Sequence, residues 1–416
     1  MEWKTVDLYG DATVIYSHSP SLENGPEMTT GVDNDFAPLD QQEDIDDLPV
    51  KGPWFSDAVL WSADWTTETI VAQLKRGNIN LNPNFQRRSA WTRERKSRFI
   101  ESLILGLPIP QIILAEDKNS KGKFIVIDGK QRLLTIRQFT ADIDDDFERF
   151  DLRGLEDRPD LNKKYYLDLK TDLAFRDDID RFDNQTIRTV IIRGWGKEEY
   201  LYSVFLRINQ GSLTLSPQEL RQAIHPGPFS TFIDERSAQS EPLLRALGLD
   251  GPDFRMRDAE LLLRYFAYKF FASDYVGNLK VFLDKTHINL NKNWKEYKEN
   301  VEHEFYEFEE TIVFLRDSFG EDRYFRKWNG SNYEKRINRA VFDIMMYYFS
   351  NPHIRLQLGP SMHLVEKRFR ELCEDRVFLS SIEQTTKSKE ANRIRFGKWV
   401  ELLNTTFGLQ LVSPFA

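Results

Sequence analysis

Asp128-Gly129-Lys130-Gln131-Arg132 places a carboxylate, a glycine and two fixed cations within five residues. That set suits phosphoryl chemistry. A carboxylate can hold Mg2+ or orient a water for attack on phosphorus, a guanidinium can grip a phosphate through two N–H donors, and glycine lets backbone amides come close to an anion. Gln86-Arg87-Arg88 and the cations Arg93, Arg95, Lys96 and Arg98 precede it. Between Arg87 and Arg137, twelve Lys or Arg stand against five acids, a net of +7 that can attract phosphates. Read alone, the pentapeptide is a helix cap beside a solvated basic face. Three cationic elements converging on one turn carry the functional reading.

The flanking segments say how such a turn is held. Gln111–Ala115 and Lys123–Ile127 are apolar, β-branched runs separated by the polar stretch Asp117–Gly122, which predicts a hairpin whose second strand ends at Asp128. Lys130–Phe139 carries Leu133, Leu134, Ile136 and Phe139 in helical spacing, so Asp128-Gly129 sits at a strand-to-helix turn. There the helix offers unpaired amides and the positive end of its dipole. Thr92–Leu105 reads as a second helix ended by Gly106, and Thr66 or Thr67 caps a shorter one ending at Gly77. Ile79–Leu81 and Thr189–Arg193 read as further strands. Ser216-Pro217-Gln218-Glu219 has the form of a capping box with proline in the first turn, which makes Ser216 scaffolding rather than a nucleophile.

Beyond Asp258 the pattern changes to amphipathic helices near 258–273, 293–318, 335–349, 361–375 and 390–406. The expected fold class is therefore α+β: a mixed module over 57–228 and a helical domain over 229–416, dividing within 228–256. Most of the aromatic residues in these helices, Trp294, Tyr297 and Phe305 among them, have core spacing, although a few could stack on bases. Residues 1–56 form an acidic tail whose composition suits a flexible segment. Its first fifty residues hold twelve acids against Lys4, a net of −11, so the chain's −9 leaves the remainder at +2. Such a tail could fold over the +7 window and screen it.

Cys373 is the sole cysteine, which excludes internal disulfides and cysteine-based zinc clusters and suits a reducing compartment. No apolar run approaches the roughly 20 residues of a membrane span. A cytoplasmic protein is expected. His287, His303, His353 and His363 are scattered singly, without the paired spacing of a metal or general-base site. Asp142, Asp144, Asp145 and Asp146 read as a solvated loop rather than a cation site. There is no Walker-type or dinucleotide-binding glycine loop.

Asn84-Phe85-Gln86-Arg87, Trp91, Ile100-Glu101-Ser102, Gly106-Leu107-Pro108-Ile109-Pro110 and Asp128-Gly129-Lys130-Gln131-Arg132 follow one another in an order that resembles the DGQQR-motif family, the domain at the N-terminus of GmrSD-type restriction endonucleases. Phe205–Asn209 and Leu215–Leu220 extend the resemblance, which spans roughly 64–228. It implies a ParB/sulfiredoxin-like fold, nucleotide binding and often NTP hydrolysis, in bacterial systems that restrict foreign or modified DNA. Carried over by position, Asp128, Gly129, Gln131 and Arg132 become motif residues, Gln86 and Arg87 a second phosphate-side element, and Asn209 a further polar site residue. Lys130 departs from the family's usual Gln, and the HNH nuclease domain of DNA-cutting members has no visible counterpart.

Three functions follow from this. The first is an Mg2+-dependent NTPase coupled to DNA recognition, with Asp128 positioning metal or water, Arg132 and Gln131 beside it, and Arg87, Arg88 and Lys130 on the phosphates. The second is a non-hydrolysing nucleotide or DNA sensor that regulates a separate nuclease partner. The third is a weak DNA nickase. A homo-oligomer is compatible with each, and a membrane partner with none.

Overall fold

A computed structural model of the chain describes residues 58–79, 81, 88, 90–198, 200–201, 204, 216–384 and 386–416. The acidic tail, its screening role, Gln86, Arg87 and Asn209 lie outside the described residues.

Four strands form one mixed sheet: β1 (Val59–Thr66), β2 (Ile112–Glu116), β3 (Phe124–Asp128) and β4 (Thr186–Arg193), in the order β1-β4-β2-β3. β1 and β4 run antiparallel, as do β2 and β3, while β2 and β4 are parallel. β2 and β3 are apolar at nearly every position because both of their faces are covered. Ile112, Leu114, Phe124 and Val126 join one cluster with Ile187 and Ile191, whereas Ile113, Ala115, Ile125 and Ile127 join another with Trp195 and Leu220. In the expected strand at 79–81, Ile79 makes an isolated parallel bridge to Phe124.

Helices α1 (Thr67–Lys75), α2 (Arg93–Ile104), α3 (Lys130–Phe139), α4 (Tyr166–Thr171) and α5 (Arg176–Asn184) accompany the sheet. Their starts obey local chemistry: Thr66 Oγ1 accepts from Thr69 N at 3.1 Å and Thr92 Oγ1 from Arg95 N at 3.4 Å. α6 (Pro217–Ile224) begins with the expected box, in which Ser216 Oγ accepts from Glu219 N while Glu219 Oε2 accepts from Ser216 N.

The remainder is helical, so the architecture is α+β followed by a helical region. The stretch 228–256 itself contains α7 (Pro228–Gln239) and α8 (Glu241–Ala246). α9 (Arg257–Phe271) packs against α7, α10 (Leu279–Lys292) and a later helix over Arg339–Phe349, through a core rich in Phe and Tyr. Within that core Arg264 pairs with Asp343, Nε to Oδ1 at 3.0 Å. Trp294 and Tyr297 pack against this core and Phe305 lies in it, as their spacing predicts. Among the described residues no helix is long and apolar enough to cross a membrane.

Candidate functional site

β3 ends at Asp128 and α3 begins at Lys130, with Gly129 between them at φ 97°. A side chain is disfavoured there twice over. The conformation is left-handed, and a Cβ would meet Ile112 Cγ1 at 3.1 Å and Arg132 Nη2 at 3.3 Å. No side-chain cap hydrogen bond closes the start of α3 at Gly129.

Asp128 and Arg132 hold each other: Arg132 Nη2 donates to Asp128 Oδ2 at 2.8 Å and to the Gln111 carbonyl at 3.0 Å. Arg132 Nε is buried with no hydrogen-bond partner. Gln131 is half-buried on α3 beside them. Lys130, although adjacent in sequence, reaches a different surface. Its Nζ donates to Glu219 Oε1 at 2.5 Å, so Glu219 serves both the α6 cap and the lysine. Burial of this pair costs desolvation that the short contact offsets.

Lys130 and Glu219 line a cleft of about 310 Å3, within the range of small-ligand sites. Phe124, Ile125 and Val126 of β3 form one wall, Gly77, Asn78 and Leu81 another, and Gln222, Pro226, Ser230 and Thr231 the far side. Lys123, at its rim, donates to the Gly77 carbonyl at 3.0 Å and to Asn78 Oδ1 at 3.2 Å.

The far side is braced from α10. Asn291 Oδ1 accepts from the amides of Phe229 and Ser230 at 2.9 and 3.1 Å, capping α7 in place of a local side chain. Its Nδ2 donates to the His225 carbonyl and to Ser230 Oγ. A Cβ on Gly227 would lie 2.4 Å from Asn291 Oδ1, so glycine makes this cap sterically available. His287 Nε2 lies 2.6 Å from Ser230 Oγ. Burial, with Arg221 and His225 nearby, brings the His287 imidazole down to about 3 and keeps it neutral.

Arg88 corrects the expectation made for it. Its guanidinium is fully buried and spent on protein groups: Nε on Asp234 Oδ1 at 2.8 Å, Nη1 on Asp258 Oδ1 at 2.7 Å and on the Asp253 carbonyl, Nη2 on Ser237 Oγ at 2.9 Å. No donor is left for a phosphate. The reason is electrostatic: α7 and α9 present two buried carboxylates that need a cation, and Arg88 supplies it.

Asp128 is the carboxylate available for a metal at the turn, and no group of three or more His, Cys, Asp or Glu able to hold an ion occurs among the described residues. In the acidic loop, Asp145 is bound to Arg137 at 2.6 Å and Asp142 to Lys75 at 3.0 Å.

The order of these elements, hairpin, glycine turn, α3 and the boxed α6, can be set against known proteins. Residues 68–226 match the model for the N-terminal domain of GmrSD restriction endonuclease. This segment, under half of the chain, is similar to that domain. No curated protein and no solved structure matches the chain. The GmrSD-type segment contains the turn and most of the cleft lining, while Gly227, Ser230 and Thr231 come from beyond it. Sequence reasoning missed Glu219, Gln222, Ser230, Lys123 and Asn78. Glu219 could not be found because the capping box already accounted for it, and the others are polar residues of unremarkable spacing.

Proposed function

We propose that the GmrSD-type segment is the nucleotide-responsive part of a cytoplasmic restriction or defence protein, taking NTP phosphates at the Gly129 turn and the cleft beside it. The observation that carries this reading is the strand-to-helix turn through left-handed Gly129, which sets Asp128 beside Arg132 and places Lys130 in the lining of a ligand-sized cleft. Asp128 would hold the nucleotide's Mg2+ or orient a water, and Arg132 would stabilise charge on the transferred phosphoryl.

A second reading, binding without turnover, draws on the pairing of these groups. Asp128 is engaged by Arg132, and Lys130 by Glu219. A phosphate that takes Lys130 from Glu219 would alter the start of α6, which is how a sensor would report to a nuclease partner.

Release of phosphate from each of the four NTPs with Mg2+, with and without modified DNA, separates the two. Turnover abolished by Asp128→Ala or Arg132→Ala supports hydrolysis. Tight binding without turnover, weakened about tenfold or more by Lys130→Ala and strengthened by Glu219→Gln, supports the sensor. Nucleotide affinity unchanged in all four variants would remove the cleft from consideration.

A further inference from the structure

A second surface of the module is organised for polyanions, and it is not the cleft. α2 lies along the loop 149–164, and together they gather cations whose partners are largely aromatic rings rather than carboxylates. Arg95 lies 4.9 Å from the Trp91 ring centre, Lys96 6.0 Å from Phe150, Arg149 4.8 Å from Tyr165 and Lys164 5.0 Å from Phe175. A ring orients a cation without cancelling its charge, so these groups remain available to phosphate. Arg153 differs in sharing Asp151 with Arg93, yet more than half of its side chain is exposed.

The strip is also held rigid. Lys163 occupies the left-handed region at φ 66°, an unusual conformation for lysine. It is held there by a two-way backbone clasp, Lys163 N to the Leu152 carbonyl at 2.7 Å and Leu152 N to the Lys164 carbonyl at 3.0 Å. Asn162 ties the same loop by bonding both the amide and the carbonyl of Leu155, and Ser97 Oγ of α2 accepts from Arg153 N at 2.9 Å. The loop also carries Asp151, Glu156, Asp157 and Asp160, but Asp151 and Asp160 are held by Arg93, Arg153 and Arg158, and a left-handed lysine sustained by such supports is the pattern of a preformed binding surface. Lys96 gives a consistent sign: burial lowers its pKa despite Glu148, with Arg93 adding to the effect.

We propose that Lys96, Arg149, Arg153, Lys163 and Lys164 dock the phosphate backbone of duplex DNA. The choice of DNA rests on the restriction-system reading, whereas the polyanion chemistry rests on the strip alone. A duplex suits the strip better than an anionic membrane. A bilayer would take up the exposed apolar residues next to the strip, Leu167 and Leu173, but Asp168 and Asp172 beside them would have to enter it too, whereas a duplex held on the cations need not reach them.

The test is fluorescence anisotropy of the full chain with a labelled random-sequence DNA duplex, without nucleotide and across a salt series. Arg149→Glu/Lys163→Glu/Lys164→Glu should weaken binding about 100-fold at low salt. The milder Arg149→Gln/Lys163→Gln/Lys164→Gln should cost about tenfold and flatten the log K against log salt slope by about 2 to 3, the loss of three phosphate contacts. Lys367→Glu, in the helical half, should bind as wild type, and matching circular dichroism and thermal melts exclude misfolding. Unchanged affinity in both triple variants overturns the proposal. So does a wild type that ignores the DNA duplex, whether it binds nothing, duplex RNA only, or phosphatidylserine vesicles. NTP binding, measured separately, then reports on the cleft independently.

Discussion

Arg88 and Arg132 stand in one basic window of the sequence, yet the fold sends them to opposite environments. Arg88 is sealed between α7 and α9 with two carboxylates, a carbonyl and a hydroxyl around it. Arg132 stays at the edge of the turn with one carboxylate, one carbonyl and a buried Nε that nothing satisfies. A guanidinium whose donors are all used is architecture, and one with a donor to spare is available for chemistry.

The sharpest break in this comparison is substitution by an uncharged residue of similar length. Arg88→Met should destabilise the protein by about 3 to 5 kcal/mol, because Asp234 and Asp258 are left buried without their cation. Arg132→Met should cost less, about 1 to 2 kcal/mol, since its pair keeps some contact with solvent and Asp128 can be hydrated once the guanidinium is gone. Urea midpoints for the two variants measure both, and equal losses would void the distinction.

The cleft's far side supplies the next effect. The His287 pKa is depressed in the folded state to about 3, so its stabilising contribution is complete above the unfolded value and is lost as pH falls toward 3. Between pH 7 and pH 4 the wild type should therefore lose about 3 kcal/mol on this account. His287→Gln, compared with wild type by urea unfolding at both values, should show an acid-side loss smaller by that amount.

Gly129→Ala sharpens the comparison at the turn itself. Forcing a Cβ into the left-handed region costs about 1 to 2 kcal/mol. The contact with Ile112 should also shift α3 enough to weaken nucleotide binding, which calorimetry with a non-hydrolysable NTP would detect. Gly227→Ala should have the smallest effect, about 1 kcal/mol, by displacing the Asn291 cap; a thermal melt reads it.

What the sequence made legible follows the same division. The turn was readable because its determinants are local: an apolar run, a glycine and a helical repeat, with α3 found at Lys130–Phe139 as spacing predicts. Arg88 was misread because its partners lie 146 and 170 residues away, and charge counting sees cations without their distant carboxylates. β1 escaped notice because Val59, Leu60 and Trp61 are all exposed, so the strand lacks the alternation that betrays a half-buried edge. α7 and α8 fall in the stretch assigned to a boundary, which holds Pro228 and Pro242. Both prolines stand in the first turns of these helices, where proline's missing N–H costs nothing.

The buried seat of Arg88 has a practical corollary for anyone who would dissect this protein. Cutting the gene at the end of the family match would strip the arginine of Asp234, Asp253, Asp258 and Ser237 together, and would remove Gly227, Ser230 and Thr231 from the cleft. The unit that heredity has kept recognisable is thus smaller than the unit that must be expressed, and a fragment ending there would report on an opened pocket rather than on the native one.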